Sequence, residues 1–187
     1  MIQAAIFASG EGTNAENLFR YFANDPRIKI KLVITNRDDA GIVARAEKYK
    51  KNVQIVSKAA LENYTDQLIE FLNVEGIDLI ILAGFLLKMP EKFIKAFPGR
   101  IINLHPALLP NYGGKGMYGM HVHRAVIGNK DAESGITVHY VNEEYDKGEI
   151  ILQARCTIDP ADTAETLAEK IRQLEFEHLP KAVERFL

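Results

Sequence analysis

The stretch RIINLHPALLP, residues 100 to 110, sets two polar side chains, Asn103 and His105, in a run of branched apolar residues that stops at two prolines. In an extended strand side chains alternate, so residues two apart share a face. An amide and an imidazole on one face can donate to an oxygen that gains negative charge, or hold and move a proton. Pro106 disfavours helical geometry at His105 and keeps it extended, which delivers both side chains to the C-terminal end of the strand. Open α/β sheets bind their ligands there. An N-x-H alone is also an ordinary strand end, so other residues must complete any chemistry.

Asp146, in YDKGEI, is one candidate. Asp followed two residues later by Gly148, between two strands, is common hairpin chemistry. Its available chemical role is electrostatic, because a carboxylate near an imidazole favours the protonated ring and equips it to donate a proton. A second candidate is SGEGTNA, where Gly10, Gly12 and Ala15 match a relaxed G-x-G-x-x-G/A fingerprint between a strand and a helix. That turn asks only for a phosphate. A dinucleotide site would want an acidic residue closing the second strand, which ends Thr35-Asn36-Arg37; Arg37 suits a 2′-phosphate, so an NADP-dependent oxidoreductase is an alternative.

The remaining polar candidates have plainer readings. His121 and His123 form an H-x-H without a further ligand, and at a helix start residues two apart do not share a face, so no metal site is expected. His139 reads as a packed strand residue, and His178 has no implied partner. Arg172 and Glu175, three apart on the last helix, form either a surface ion pair or a cation and acceptor for a phosphorylated amine. LAGFLLKM closes an apolar strand and could line a pocket for a flat ring.

These groups must be positioned by a recurring pattern. Apolar β-rich runs alternate with helical periodicity: IQAAIF, IKIKLVIT, VQIVS, IDLIILAG and RIINLH, separated by AENLFRYF, AGIVARAEKY, LENYTDQLIEFLN and PEKFIKAF. Such strands suit a parallel sheet covered by helices on both faces. After residue 130 the pattern changes. SGITVHYV and EIILQARCTI flank NEEYDKG as an antiparallel addition, and a final helix carries Leu167, Ile171, Leu174 and Leu179 on its apolar side. NYGGKGMYGM, residues 111 to 120, is the long glycine-rich loop after the strand that carries Asn103 and His105; loops so placed are often lids or binding loops.

At 187 residues the expectation is one α/β domain spanning 1–187. A net charge of -2 gives no basic field for nucleic acid, and no apolar span or signal peptide opens the chain. The lone Cys156 precludes an internal disulfide and fits a reducing cytoplasm.

Together SGEGTN, LAGF, NLHPALLP and YDKGEIILQA make the whole chain, from residue 2 to about 185, resemble the folate-dependent formyltransferase superfamily. SGEGTN and the lack of an additional domain resemble the member acting on glycinamide ribonucleotide in purine biosynthesis. The resemblance implies a single-domain Rossmann-like fold, a mostly parallel sheet with helices on both faces and a C-terminal antiparallel addition. It implies 10-formyltetrahydrofolate as cosubstrate, no metal, and a monomer or homodimer with small-molecule substrates. Asn103, His105 and Asp146 match the catalytic trio, with a protonated His105 donating beside Asn103 to the formyl oxygen. Gly12, Thr13 and Asn14, with Arg172 and Glu175, match the acceptor site. Leu86, Leu87, Lys88 and Met89, the loop Glu143, Glu144, Tyr145 and Asp146, Asn103, and Lys58 match the folate site. An alternative within the fold is a formyltetrahydrofolate hydrolase. Two departures stand out: Lys147 precedes Gly148 where the family often has two glycines, and the 111–120 loop is longer than in many members.

Overall fold

The structure is a computed structural model that describes residues 1–187, and the chain divides into two compact units. Residues 1–103 with 186–187 form the first, and 104–185 the second.

The first unit runs β1 (Ile2–Phe7), α1 (Thr13–Tyr21), β2 (Ile28–Thr35), α2 (Gly41–Lys48), β3 (Asn52–Ile55), α3 (Lys58–Asn63), α4 (Thr65–Val74), β4 (Leu79–Leu82) and α5 (Glu91–Ala96), and ends within β5 (Ile101–His105). All its strand pairings are parallel, giving the order β3-β2-β1-β4-β5. This is the α/β pattern expected from the alternating runs. Every residue of β4 is buried, as an interior strand covered on both faces requires. Helices supply that cover through single apolar faces: Ala15, Leu18 and Phe19 of α1, Ile42 and Ala46 of α2, Leu68 and Leu72 of α4.

One expected helix is two. The periodicity of LENYTDQLIEFLN is interrupted at Tyr64, and the Thr65 hydroxyl donates to the Leu61 carbonyl at 2.6 Å, so α4 begins afresh against the end of α3. β-branched and hydroxyl residues at a turn compete locally for backbone groups, which a periodicity count does not register.

The second unit holds α6 (Met120–Gly128), β6 (Glu133–Tyr140), β7 (Ile150–Thr157) and α7 (Ala164–Glu184). β6 and β7 pair antiparallel, with a register shift between Val138 and His139. Their connection carries Asp146. α7 starts at a reciprocal cap between Thr163 and Thr166 and packs on α6, β6 and β7. Leu167, Ile171 and Leu179 of its expected apolar side are buried, whereas Leu174 is only half-buried. No helix is long and apolar enough to cross a membrane.

The strongest charge cluster of the first unit ties α1 to α2. Glu16 accepts from Arg20 at 2.6 Å, from the Tyr49 hydroxyl at 3.1 Å and from Arg45, with Lys48 at 3.5 Å. Burial pushes this carboxyl up, but the hydrogen bonds from Arg45 and Tyr49 and the charges of Arg20 and Arg45 outweigh it and hold the pKa at about 2. The folded value lies below the ordinary glutamate value of 4.5, so the unfolded chain takes up the proton first. The stabilisation is complete above 4.5 and disappears as pH falls toward about 2. Because the partner cations are partly exposed, Glu16→Gln should lower stability at pH 7 by roughly 2 kcal/mol and by much less near pH 3. Urea unfolding of both proteins at the two pH values measures this difference.

Candidate active site

His105 ends β5 and is 4 % exposed. Its Nε2 lies 2.8 Å from the Tyr112 carbonyl oxygen. A carbonyl only accepts, so Nε2 carries the proton and the neutral ring presents a lone pair at Nδ1. That nitrogen lies 3.7 Å from Oδ2 of Asp146, within charge range but beyond a hydrogen bond. The same carboxylate oxygen accepts the Gly114 amide at 2.8 Å, and Oδ1 lies 3.6 Å from His139 Nε2. His139 in turn donates from Nδ1 to the Tyr140 carbonyl at 2.7 Å. One carboxylate therefore stands between two imidazoles, each committing its far nitrogen to a backbone carbonyl.

Burial pushes the His105 pKa below the ordinary histidine value, and it prevails over the upward pull of Asp146 and of the Tyr112 hydrogen bond. That direction favours the neutral imidazole at neutral pH. Burial works against the protonated His105 that the sequence leads one to expect: a charge on the ring would have to be formed away from water, against which the carboxylate at 3.7 Å pulls the other way. Burial also pushes Asp146 up, but the neighbouring His139 imidazole, the charge of His105 and the Gly114 amide hold it below the usual carboxylate range. Asp146 is the ionised partner and His105 the neutral one.

Local chain geometry fixes these positions. Asp146 has φ 55°, a left-handed conformation that aspartate tolerates better than most residues. Gly148 is required by close approach, since a Cβ there would stand 1.6 Å from the Tyr140 carbonyl oxygen. Lys147, at the place of the first family glycine, pairs with Glu144 on the surface and leaves that approach intact. Beyond His105 the chain is clamped by Thr137, whose hydroxyl donates to the Ala107 carbonyl at 2.7 Å and accepts the Leu109 amide at 3.0 Å. Gln153 bonds both the Leu109 carbonyl and Thr137. Sequence reasoning treated His139 as structural and passed over Thr137. No alternation could have shown it, because β6 is buried on both sides from Ser134 to His139 and its register shifts between Val138 and His139.

In the first unit, Asn103 lies two residues before His105 on β5 and is half-buried. Gly12 caps α1 in a left-handed conformation, φ 72°, and Thr13 and Asn14 open the helix, a half-buried turn with amides at a helix N-terminus. α2 shapes this turn: the Ile42 amide donates to Gly10, Arg45 donates to the Glu11 carbonyl, and a Cβ on Gly12 would lie 2.5 Å from the Ile42 side chain. Leu86 and Lys88 are exposed, Leu87 half-buried and Met89 buried; the Leu86 amide is held by the Ser9 hydroxyl. Lys58 is an exposed residue with Glu62 at 3.8 Å. Arg37 is paired with Asp39.

In the second unit, Glu143, Glu144 and Tyr145 are exposed on the loop before Asp146. Arg172 is brought to Glu169, one turn earlier, as its ion-pair partner, and Glu175 is half-buried on the same helix. The H-x-H pair separates: His121 lies against Tyr118, and His123 is buried with no hydrogen-bond partner at Nδ1.

The α/β scaffold sets a histidine at a strand end with a carboxylate beside it, and residues 2–183 match the formyl transferase family, to which the chain belongs. Relatives within that family narrow the likeness. The chain is 34% identical over 190 residues to the phosphoribosylglycinamide formyltransferase of Haemophilus influenzae, covering all of this chain and 87% of that protein. It is 38% identical over 173 residues to the chloroplastic phosphoribosylglycinamide formyltransferase of Arabidopsis thaliana, covering 89% of this chain but only 59% of that one. The crystal structure of phosphoribosylglycinamide formyltransferase from Bacillus halodurans superposes with TM-score 0.89 at 33% identity, covering 99% and 95% of the two chains.

Two outcomes test this geometry without any substrate. Since the Asp146 charge raises the His105 pKa, Asp146→Asn should move it still further down, read by imidazole NMR titration; an unchanged or raised value would show that the carboxylate does not act on the ring. Gly148→Ala should destabilise the chain by more than about 2 kcal/mol in chemical denaturation, because the opposing atom is backbone and cannot swing aside.

Proposed function

We propose that the chain transfers the formyl group of 10-formyltetrahydrofolate to the amine of glycinamide ribonucleotide, a step of de novo purine biosynthesis. The observation that carries this reading is the neutral, buried His105, with Nε2–H committed to Tyr112 and an ionised Asp146 at 3.7 Å from its free Nδ1. A nucleophilic amine must shed a proton as it attacks, and the unprotonated Nδ1 is the ring nitrogen that could take it.

The amine nitrogen attacks the formyl carbon and the carbonyl oxygen takes the negative charge. The Asn103 amide donates to that oxygen. His105 Nδ1 accepts the proton of the attacking nitrogen, and Asp146 stabilises the imidazolium so formed. As the bond from the formyl carbon to N10 breaks, the imidazolium gives its proton to the departing nitrogen, leaving formylated acceptor and tetrahydrofolate. Gly12, Thr13 and Asn14 bind the acceptor's phosphate with Arg172 and Glu175 nearby. Leu86, Leu87, Lys88 and Met89, with the 143–146 loop and Lys58, serve the folate. Met89 acts from beneath, as a buried support for that segment.

Folate release from 10-formyltetrahydrofolate, with and without glycinamide ribonucleotide, tests the reading in wild type and His105→Ala. Release should require the acceptor and fall by ~10²–10⁴ in the variant, with folate affinity within a few-fold of wild type. Acceptor-independent release would replace the transferase by a hydrolase, and full turnover in His105→Ala would remove His105 from the mechanism.

A further inference from the structure

The glycine-rich segment after β5 has no role in the reaction as described so far, yet two of its backbone groups touch the catalytic pair. The Tyr112 carbonyl accepts from His105 Nε2 at 2.8 Å, and the Gly114 amide donates to Asp146 Oδ2 at 2.8 Å. These are the contacts that select the ring's tautomer and aim the carboxylate. Gly113, between them, is close-packed: a Cβ there would lie 2.8 Å from the Leu109 side chain and 3.2 Å from Asp146 Cβ.

What keeps the segment in place is Tyr112. Its φ is 56°, a left-handed conformation that a bulky residue adopts only when its surroundings impose it. The imposition is visible at the far end of the side chain. The phenol hydroxyl donates to Asp131 Oδ2 and accepts from Asn129 Nδ2 at 2.8 Å. Asn129 caps the C-terminus of α6, and Asp131 lies in the short turn between that helix and β6, so the anchor sits where two regular elements join.

We infer that Tyr112 is a positioning residue for the reaction: its phenol, pinned by Asp131 and Asn129, holds the backbone in a left-handed turn whose carbonyl keeps the proton of His105 on Nε2 and leaves Nδ1 as the base. No other group need touch substrate for this to matter, because a histidine in the wrong tautomer presents a proton where the reaction needs a lone pair. The inference rests on the formyl-transfer reading for its kinetic arm alone.

The test is ¹⁵N imidazole NMR on wild type, Tyr112→Phe, Asp131→Ala and Asp131→Asn, with steady-state kinetics alongside. Wild-type His105 should show a protonated Nε2 and an unprotonated Nδ1. In Tyr112→Phe and Asp131→Ala the two nitrogens should move toward averaged shifts, and kcat should fall at least tenfold with KM values within about threefold. Asp131→Asn keeps an oxygen that accepts the phenol proton, and should retain both the tautomer and the rate. Thermal melts establish that each variant is folded, and Asp131→Ala repeats the test without altering the left-handed residue. A His105 tautomer unchanged in both anchor-breaking variants would overturn the inference, as would a fall in kcat with the Nε2–H signature intact. If wild type transfers no formyl group, the functional reading fails while the NMR arm still decides whether Tyr112 sets the tautomer.

Discussion

A carboxylate kept ionised away from bulk water needs partners for its charge, and the second unit is organised by that need at Asp146. Its side chain is 11 % exposed, with oxygens facing the Gly114 amide, His105 and His139. Those partners come from the end of β5 with its following loop and from β6, and the β6–β7 connection that carries the aspartate is a third stretch. Each stretch is held by backbone geometry peculiar to it. The β5 extension is tied down by Thr137 and Gln153, the loop by the Tyr112 phenol, and the connection by the approach of Gly148 to Tyr140. A displacement in any of them leaves a buried charge short of a partner, a more serious defect than the loss of one neutral hydrogen bond.

The first unit shows the same dependence on close approach at its helix terminus. Ile42 lies so near Gly12 that no other residue fits, and Arg45 bridges from α2 to the Glu11 carbonyl and to Glu16 on α1. The turn at residues 10–14 is shaped by a neighbouring helix, so its amides are arranged before any anion arrives. Preorganisation of this kind spares a ligand the entropy of ordering the loop.

Much of the architecture was legible in the sequence, because buried parallel strands read as continuous apolar runs and their covering helices as single-faced ones; β4 and α1 are plain cases. The antiparallel addition and the closing helix were legible for the same reason. The division at Tyr64 was not, since it depends on one hydroxyl bond to the Leu61 carbonyl. Asp146 shows the limit most clearly. By residue type and spacing it was a common hairpin aspartate, and only its resemblance to a family pattern singled it out. Its left-handed backbone, its contact with His139 and the neutrality of His105 depend on burial and on groups distant in sequence. Tyr112 was hidden for a related reason: its carbonyl is an atom every residue has, and the partners of its phenol, Asn129 and Asp131, are distant in sequence.

The neutrality of His105 also bears on how the site can accelerate a reaction instead of merely binding its substrates. A protonated His105 would already be paired with Asp146 before reaction, and that attraction would be present equally in the ground state. With the ring neutral, the ionised Asp146 faces a lone pair at 3.7 Å and gains little from it. In the proposed reaction Nδ1 takes the proton of the attacking amine, the same two groups become a buried ion pair, and the attraction grows as the transition state is reached. Interactions that strengthen only along the reaction lower its barrier, whereas those made in advance deepen the starting complex. Burial of His105 thus does more than exclude water. It lowers the basicity of the ring, and it lowers the local dielectric in which Asp146 faces it. Tyr112 completes the arrangement from the other nitrogen, because its carbonyl bond to Nε2–H also strengthens when the ring becomes cationic.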